Sequence, residues 1–196
     1  VFQVVGLDTD PRMLTIAKSK LAASDLPNVR LQCAAVQNLR EDGFDVALAL
    51  FNVINYPDSW GKLTDMLEGI SNRLVDGGLF IFDCWNGVAV LRDPPASKQT
   101  QITADGFTLT SRISAHTDLL KQRTRLEYLL ELHGEKNEKC SDGRHSFTQT
   151  FWTPLQVRTA LESAGFRVLD CCKLFQPDCP AAADHWKIMF TCRKRL

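Results

Sequence analysis

An aspartate follows a hydrophobic run near the start of the chain, and its position predicts a ligand contact. The run Val1–Leu7 predicts a strand, Asp8 follows it, and Pro11 can open the next helix as its first residue. An acid at such a strand end accepts hydrogen bonds from both hydroxyls of a ribose, because a carboxylate offers two acceptor oxygens. The alternative role of Asp8 is structural, as a solvated turn residue that caps the helix. Such an acid normally comes after a glycine-rich phosphate loop, and this sequence contains none.

The composition excludes several partners. Lys and Arg number 23, as do Asp and Glu, so the formal charge is zero. A balanced charge gives no basic field for nucleic acid or anionic lipid, and no apolar run is long enough to span a membrane. The 7 cysteines are odd in number and form no C-x-x-C motif. We therefore predict a reduced, cytoplasmic protein without a metal site.

Strands and helices alternate in the first half of the chain. Apolar residues at helical spacing predict helices over Pro11–Ala23 and Trp60–Val75. The segment Asp76-Gly77-Gly78 should end the second helix, because glycine tolerates a positive φ. Strands are predicted for the apolar runs "VRLQCAAV", "FDVALALF" and "LFIFDCW". This order predicts an α/β domain with a mostly parallel sheet.

The second half has a different pattern. Alternating apolar and polar residues in "GFTLTSRISAHT" and "QRTRLEYLLEL" predict antiparallel strands, "HGEKNEKCSDGRH" predicts a charged loop, and "HSFTQTFW" predicts another strand. A helix follows, with Thr153 as N-cap, Pro154 first and Gly165 just past its end. "RVLDCCKLF" and "HWKIMFTCR" predict a final strand pair joined by a Pro-rich loop. We predict one domain over residues 1–196, with residues 87–150 as an antiparallel flap over the site.

These segments, taken in order, resemble the class I S-adenosylmethionine-dependent methyltransferases that act on small molecules. "VVGLDTDPRMLTIAKSKL" is similar to the family's second strand and acidic loop, "FDVALALFNVINY" to its fourth strand, and "NRLVDGGLFIFDCWNG" to the helix and fifth strand. "TPLQVRTALESAGFRVL" resembles the helix before its reversed terminal strand pair. The resemblance implies a Rossmann-like α/β fold that lacks the family's first strand. It also implies methyl transfer from S-adenosylmethionine to a nitrogen or oxygen of a small-molecule acceptor.

The resemblance also implies which residues contact the methyl donor. Asp8 matches the acid that accepts the ribose hydroxyls, and Met13 matches an apolar side chain on adenine, unless it is a helix core residue. Phe51 lies at the end of the fourth strand, where open α/β sheets bind ligands. The full set of implied donor contacts is Asp8, Met13, Ala35, Val36, Phe51 and Asn52.

Two departures from the family pattern affect donor binding. Ala35 stands where the family usually has an acid for the adenine amino group, although the backbone of Val36 could partly replace that contact. The glycine-rich loop that closely approaches the methionine moiety is absent. Gly77-Gly78 cannot replace it, because this pair is predicted to end a helix before a strand. We therefore expect S-adenosylmethionine to bind this sequence weakly or not at all.

An acceptor site would lie in the loops above the strand ends, because methyl transfer chiefly requires an aligned nucleophile. His145 is the preferred general base, and Tyr56 is a second catalytic candidate and a wall of the pocket. His116, in an alternating strand, is predicted to be structural or exposed. The full set of predicted acceptor contacts is Asn55, Tyr56, Trp85, Asn86 and Trp152.

Other functions stay open from the sequence. A nicotinamide-dependent dehydrogenase also places an acid after its second strand, but neither G-x-G-x-x-G nor Tyr-x-x-x-Lys occurs here. A non-catalytic methyltransferase-like remnant, acting as an interaction module or oligomer, is consistent with Ala35 and with the missing loop. Without the first strand, the strands Val1–Leu7 and Phe44–Phe51 each lack one neighbour. We expect these two strands to pair directly, or a second copy of the chain to pair with their open edges.

Overall fold

The computed structural model describes residues 2–24, 26–136 and 138–196 and contains three β-sheets. In the first, β1 (Val4–Asp8) pairs in parallel with β2 (Val29–Cys33). Helix α1 (Pro11–Ala22) connects them. Asp10 is its N-cap and accepts the backbone N–H of Arg12 at 2.8 Å. The predicted strand–turn–helix unit at the start of the chain is present.

The second sheet is mixed and forms the centre of the protein. Its strand order is β10-β9-β11-β4-β3, with β3 parallel to β4 and β11 antiparallel to both β4 and β9. The reversed strand pair predicted at the end of the chain therefore lies beside the parallel strands. The strands are β3 (Phe44–Ala49), β4 (Leu74–Trp85), β9 (Phe166–Lys173), β10 (Gln176–Pro180) and β11 (Lys187–Lys194).

The third sheet, here called the insert sheet, is antiparallel throughout, with the strand order β5-β6-β7-β8. It comprises β5 (Lys98–Ala104), β6 (Phe107–Asp118), β7 (Arg123–His133) and β8 (Lys139–Thr150). The alternation of apolar and polar residues predicted β6 and β7, because one face of such a sheet packs on the protein and the other meets water. The sequence did not predict β5.

Three further helices join and cover the strands: α2 (Trp60–Ser71), α3 (Gly87–Arg92) and α4 (Pro154–Ser163). Leu63 and Leu67 of α2 and Leu161 of α4 are fully buried against the central sheet. On that side of the sheet Phe82 stacks between Phe80 and Phe190, at centroid distances of 4.7 and 5.1 Å. Burial of these large side chains is the main stabilising contribution to the fold.

A smaller core connects the central sheet to the insert sheet. It is formed by Trp85, Val90, Leu126 and Phe151, which we call the bridging cluster. Trp85 comes from the end of β4 and Leu126 from β7, so the cluster fixes the insert sheet beside the carboxyl end of β4. In the described part of the chain, no helix is both long and apolar enough to cross a membrane.

The end of α2 differs from the prediction. The helix ends at Ser71 rather than at Val75, and Leu74 already pairs with Phe44 of β3. The register then moves to a Val46–Leu79 pair, so β4 bulges between these positions. Gly77 has the expected positive φ of 79°, but it lies in this bulge and not at the helix end. The bulge lies near the amino end of β4, whereas a ligand would bind at the carboxyl ends of the strands. Gly77-Gly78 therefore does not replace the missing glycine-rich loop.

Further differences involve segments with weak local signals. Residues 139–145, predicted as a charged loop, belong to β8, and Asn137 of the same segment lies outside the described residues. β8 is an edge strand, where charged side chains are favourable because they discourage pairing with other chains. The Pro-rich loop contains β10, another edge strand, where proline is tolerated. The predicted strand "VRLQCAAV" ends at Cys33, and α3 was not predicted.

The two expected open strands do not pair with each other. Among the described residues, β1 pairs only with β2 and β3 only with β4, so the prediction of direct pairing is wrong. On β3 the side chains of Val46 and Leu48 are 47% and 63% exposed. Pairing of these edges with a second copy of the chain remains a prediction.

The buried cysteines predict a loss of stability at alkaline pH. All seven cysteines are free, and burial raises the pKa of Cys171 to about 11 and of Cys192 to about 12, from an ordinary value of 9.0. Burial also raises the pKa of Cys84. Since the unfolded chain loses these protons first, the stabilisation is complete below about pH 9 and is lost as pH rises through about 11 to 12. Urea unfolding at about pH 8 and about pH 10.5 should show this loss, and Cys192→Ala should reduce it. An identical pH dependence in the variant would contradict the assignment to Cys192.

Candidate functional site

Asp8 is the last residue of β1 and combines both roles that the sequence allows. Its Oδ1 accepts the backbone N–H of Asp10 at 2.8 Å, which orders the turn before α1. No described residue donates to its Oδ2, and the side chain is half-buried. The Asp8 carbonyl accepts the N–H of Ala34 at 3.2 Å, which ties the end of β1 to the segment after β2. One carboxylate oxygen thus orders the turn, and the other is available to a ligand.

Val36 and Met13 lie near the ends of β2 and β1 in different environments. Val36 begins a 3₁₀ turn over Val36–Asn38, with Ala35 as its N-cap, and packs against the main core. The methyl side chain of Ala35 cannot accept a hydrogen bond, so only backbone groups are available to an adenine here. Met13, in the first turn of α1, is 52% exposed. An apolar side chain exposed at that position is free to cover a flat ring.

The segment after β3 has an unusual backbone. Phe51 and Asn52 have φ values of 66° and 62°, in the left-handed region that residues with side chains seldom enter. Two such residues cost about 1–2 kcal/mol each, so other contacts must hold them. The Asn52 N–H donates to Asp83 Oδ2 at 3.2 Å, and the Phe51 side chain is 81% exposed. Backbone strain of this kind concentrates at functional sites.

Asp83 is a site residue that sequence reasoning missed. It lies in β4, is only 2% exposed and accepts the Asn52 N–H that supports the strained turn. Its Oδ1 has no partner among the described residues. A signal was present in the sequence, because "LFIFDCW" places an acid within an apolar strand. Aspartate is almost never fully buried unless it is paired.

Three predicted acceptor contacts are occupied by internal hydrogen bonds. Asn55 is fully buried, accepts the N–H of Trp85 at 2.9 Å and donates to the Thr150 carbonyl at 2.8 Å. Asn86 caps α3 by accepting the N–H of Val88 and also donates to the Ala182 carbonyl. The Trp152 indole donates to the Ile54 carbonyl at 3.2 Å. Trp85 is 7% exposed within the bridging cluster. These four side chains therefore position the strand ends and the insert sheet.

Tyr56, the remaining predicted acceptor contact, and His145, the predicted base, both lie next to the ring of Phe147. The rings of Tyr56 and His145 lie 6.0 and 5.5 Å from the ring of Phe147, and Tyr128 stacks on Phe147 at 5.6 Å. Tyr56 is 51% exposed and His145 is exposed. The two catalytic candidates thus belong to one accessible aromatic group, although they are 89 positions apart in the sequence numbering. His116 is exposed on β6, as predicted.

Three described residues each have the chemistry that the adenosine part of S-adenosylmethionine requires. Asp8 has an unengaged carboxylate oxygen for ribose hydroxyls, and the large exposed side chains of Met13 and Phe51 can cover apolar ligand surface. The sequence has no glycine-rich loop that would closely approach a methionine moiety.

Comparisons with known proteins agree with this fold. Residues 1–78 match the methyltransferase domain family, and no curated protein matches the chain. An S-adenosylmethionine-dependent methyltransferase from Clostridium acetobutylicum ATCC 824 superimposes with a TM-score of 0.80 at 17% identity, covering 100% of this chain and 76% of the other. CcbJ methyltransferase from Streptomyces caelestis gives 0.78 at 18% identity, covering 99% and 75%.

A third structure, CalS10, is similar over nearly the same range. This amino pentose methyltransferase from Micromonospora echinaspora was solved with bound S-adenosylmethionine. It has a TM-score of 0.70 and 18% identity, and covers 98% of this chain and 74% of the other. The resemblance and the α/β fold predicted from the sequence are thereby confirmed. Residues 1–78 match the methyltransferase domain family, and the chain as a whole has the fold of the S-adenosylmethionine-dependent methyltransferases.

Proposed function

We propose that this protein transfers a methyl group from S-adenosylmethionine to a nitrogen or oxygen of a small molecule. The observation that carries the proposal is the position of Asp8. It ends β1 with one carboxylate oxygen unengaged, and its carbonyl is bonded to the segment that begins at Ala34. Asp8, the backbone near Val36 and the exposed ring of Phe51 would then hold the adenosine. The open α/β sheet favours ligand binding at the carboxyl ends of such strands.

The chain's own residues would align the acceptor and exclude water. S-adenosylmethionine, when bound, supplies a methyl group on a positively charged sulfur. Tyr56, Phe147 and Tyr128 would offer aromatic surface for the acceptor, and His145 beside Phe147 would remove a proton from it. The bridging cluster would hold residues 87–150, which contain α3 and the insert sheet, as the cover that selects the acceptor.

A non-catalytic role is the second candidate, and Ala35 favours it. An alanine at this position cannot accept a hydrogen bond from an adenine amino group, and the sequence lacks the glycine-rich loop. In this alternative, the exposed edge of β3 around Val46 and Leu48 pairs with a second copy of the chain.

Methyl transfer tests the proposal directly. The 196-residue chain would be incubated with S-adenosylmethionine and a panel of small amines and alcohols, including amino sugars, and products detected by mass spectrometry. We expect methylated product from at least one acceptor and less of it with Asp8→Ala. Absence of product, with a dimer in light scattering, would favour the non-catalytic alternative.

A further inference from the structure

Two buried oxygen atoms at the ends of β3 and β4 lack a hydrogen-bond donor. They are the Oδ1 atoms of Asp83 and Asn52, and neither has a partner among the described residues. The two residues are in direct contact, because the Asn52 N–H donates to Asp83 Oδ2 at 3.2 Å. The unpartnered oxygens therefore belong to one local site and not to two unrelated positions.

A purely structural role explains only part of this arrangement. Asp83 Oδ2 has a structural role, because it accepts the Asn52 N–H and so supports the strained turn at Phe51 and Asn52. It leaves Asp83 Oδ1 and Asn52 Oδ1 without a function, although a buried acceptor without a donor costs about 1–3 kcal/mol, and more when it is charged. A ligand that donates hydrogen bonds to both oxygens would offset that cost and the backbone strain together.

The chemistry of the two oxygens selects the ligand. Both atoms accept hydrogen bonds, and the carboxylate adds a negative charge that repels phosphates and carboxylates. A primary amine carries several N–H donors and is attracted to the carboxylate when it is protonated. A hydroxyl has a single donor and could satisfy only one of the two oxygens.

The face of β4 indicates where this amine comes from. Residues two apart on a strand share a face, so Asp83 lies on the same side as Trp85 of the bridging cluster. Phe82 and Cys84, on the opposite face, belong to the main core. Asp83 is thus directed to the side where the insert sheet carries Phe147 and His145, and that is the proposed acceptor side.

We propose that Asp83 and Asn52 bind an amine of the methyl acceptor. This inference rests on the proposed function and narrows the acceptor from a nitrogen or oxygen compound to an amine. Asp83 holds the nitrogen through its N–H groups and in this way positions the acceptor beside the aromatic group of Tyr56 and Phe147.

The experiment measures amine binding without requiring catalysis. Methylammonium chloride would be titrated into the isotopically labelled whole chain at constant ionic strength, and the backbone amide signal of Asn52 followed by NMR. We expect a saturable shift, because this amide donates to Asp83. Tetramethylammonium has the same charge but no N–H, and should give none.

Variants test whether the two oxygens are responsible. Asp83→Asn keeps an acceptor for the Asn52 N–H but puts a donor in place of Oδ1, so methylammonium affinity should fall about tenfold or more. Asp45→Asn, an exposed aspartate on β3, should leave the affinity unchanged. Asn52→Gly permits the positive φ while it removes the other oxygen, and it should also weaken binding. Equal shifts in wild type and both site variants, or none with methylammonium, would overturn the proposal.

Competition separates this inference from the proposed function. S-adenosylhomocysteine carries a protonated aliphatic amine in its homocysteine part, whereas 5′-methylthioadenosine has only the neutral amino group of adenine, which both compounds share. Blocking of the methylammonium shift by S-adenosylhomocysteine, whether or not 5′-methylthioadenosine also blocks it, would assign the oxygens to the methyl donor and overturn the acceptor assignment. An unblocked shift supports it. If S-adenosylhomocysteine does not bind in calorimetry while the shift persists, the amine site stands and the proposed function fails.

Discussion

Replacing Gly87 with alanine should destabilise the protein by about 1–3 kcal/mol, toward the upper end of that range. An added Cβ would lie 2.6 Å from the backbone carbon and oxygen of Trp152 and 2.8 Å from the nitrogen of Thr153. These are backbone atoms, which cannot turn aside as a flexible side chain does. The Gly87 N–H also donates to the Trp152 carbonyl at 2.9 Å. The methyl group would therefore displace the start of α3 from the segment that begins α4.

Urea unfolding of Gly87→Ala and of Gly61→Ala measures this effect. Gly61 lies in α2, and a Cβ there would meet nothing within 4 Å. Alanine at this position should stabilise the helix by about 0.5–1 kcal/mol, because glycine is the poorer helix former. The two substitutions add the same atom and should change stability in opposite directions. If Gly87→Ala unfolds with the same free energy as the wild type, the backbone of residue 87 is not packed tightly against that of Trp152, and the prediction is wrong.

The second large effect is on ligand affinity. Asp8→Ala should weaken binding of 5′-methylthioadenosine by about 1–3 kcal/mol, or about 5- to 150-fold, because the ribose hydroxyls lose a charged acceptor. The control is Asp10→Asn, two positions further along the chain. Asn is as good an N-cap as Asp, so α1 should begin as before, while one negative charge is removed as in Asp8→Ala.

Calorimetric titration distinguishes the two substitutions. Wild type and Asp10→Asn should bind with similar affinity, and Asp8→Ala more weakly. The Asp8 carboxylate also accepts the Asp10 N–H, so Asp8→Asn, which retains an acceptor oxygen, serves as a check on the turn. An Asp8→Ala variant that binds as tightly as wild type would place the adenosine elsewhere.

Local signals made much of the fold predictable from the sequence. Thr153, Pro154 and Gly165 mark the ends of α4 as predicted. In the structure the Gln156 side chain also accepts the Thr153 N–H, which completes a capping box. The second half of β4 was evident as a buried strand from its long apolar run. The similar run in β3 predicted burial on both faces, but Val46 and Leu48 are exposed there. Such features depend on residues close together in the chain.

Features set by distant partners were not predictable. The charged strand segment Lys139–His145 forms because β7 supplies its hydrogen-bonding partners. The Asn55 side chain donates a hydrogen bond to the Thr150 carbonyl, 95 positions away in the sequence. The orphan oxygen of Asp83 and the left-handed turn at Asn52 are evident only when β3 and β4 lie side by side. The position of Asp8 at a strand end was predictable, whereas the residues that line the acceptor side were not.

We propose that this chain holds the adenosine part of S-adenosylmethionine through Asp8 and its neighbours and makes few contacts with the methionine part. Calorimetric titration of the 196-residue chain with S-adenosylhomocysteine and with 5′-methylthioadenosine tests this claim most directly. We expect the two dissociation constants to agree within about threefold, a difference of less than about 0.7 kcal/mol in binding free energy. Micromolar binding of S-adenosylhomocysteine, about tenfold or more tighter than that of 5′-methylthioadenosine, would contradict it by showing that the chain also grips the methionine moiety. Failure of both compounds to bind would contradict the adenosine site itself.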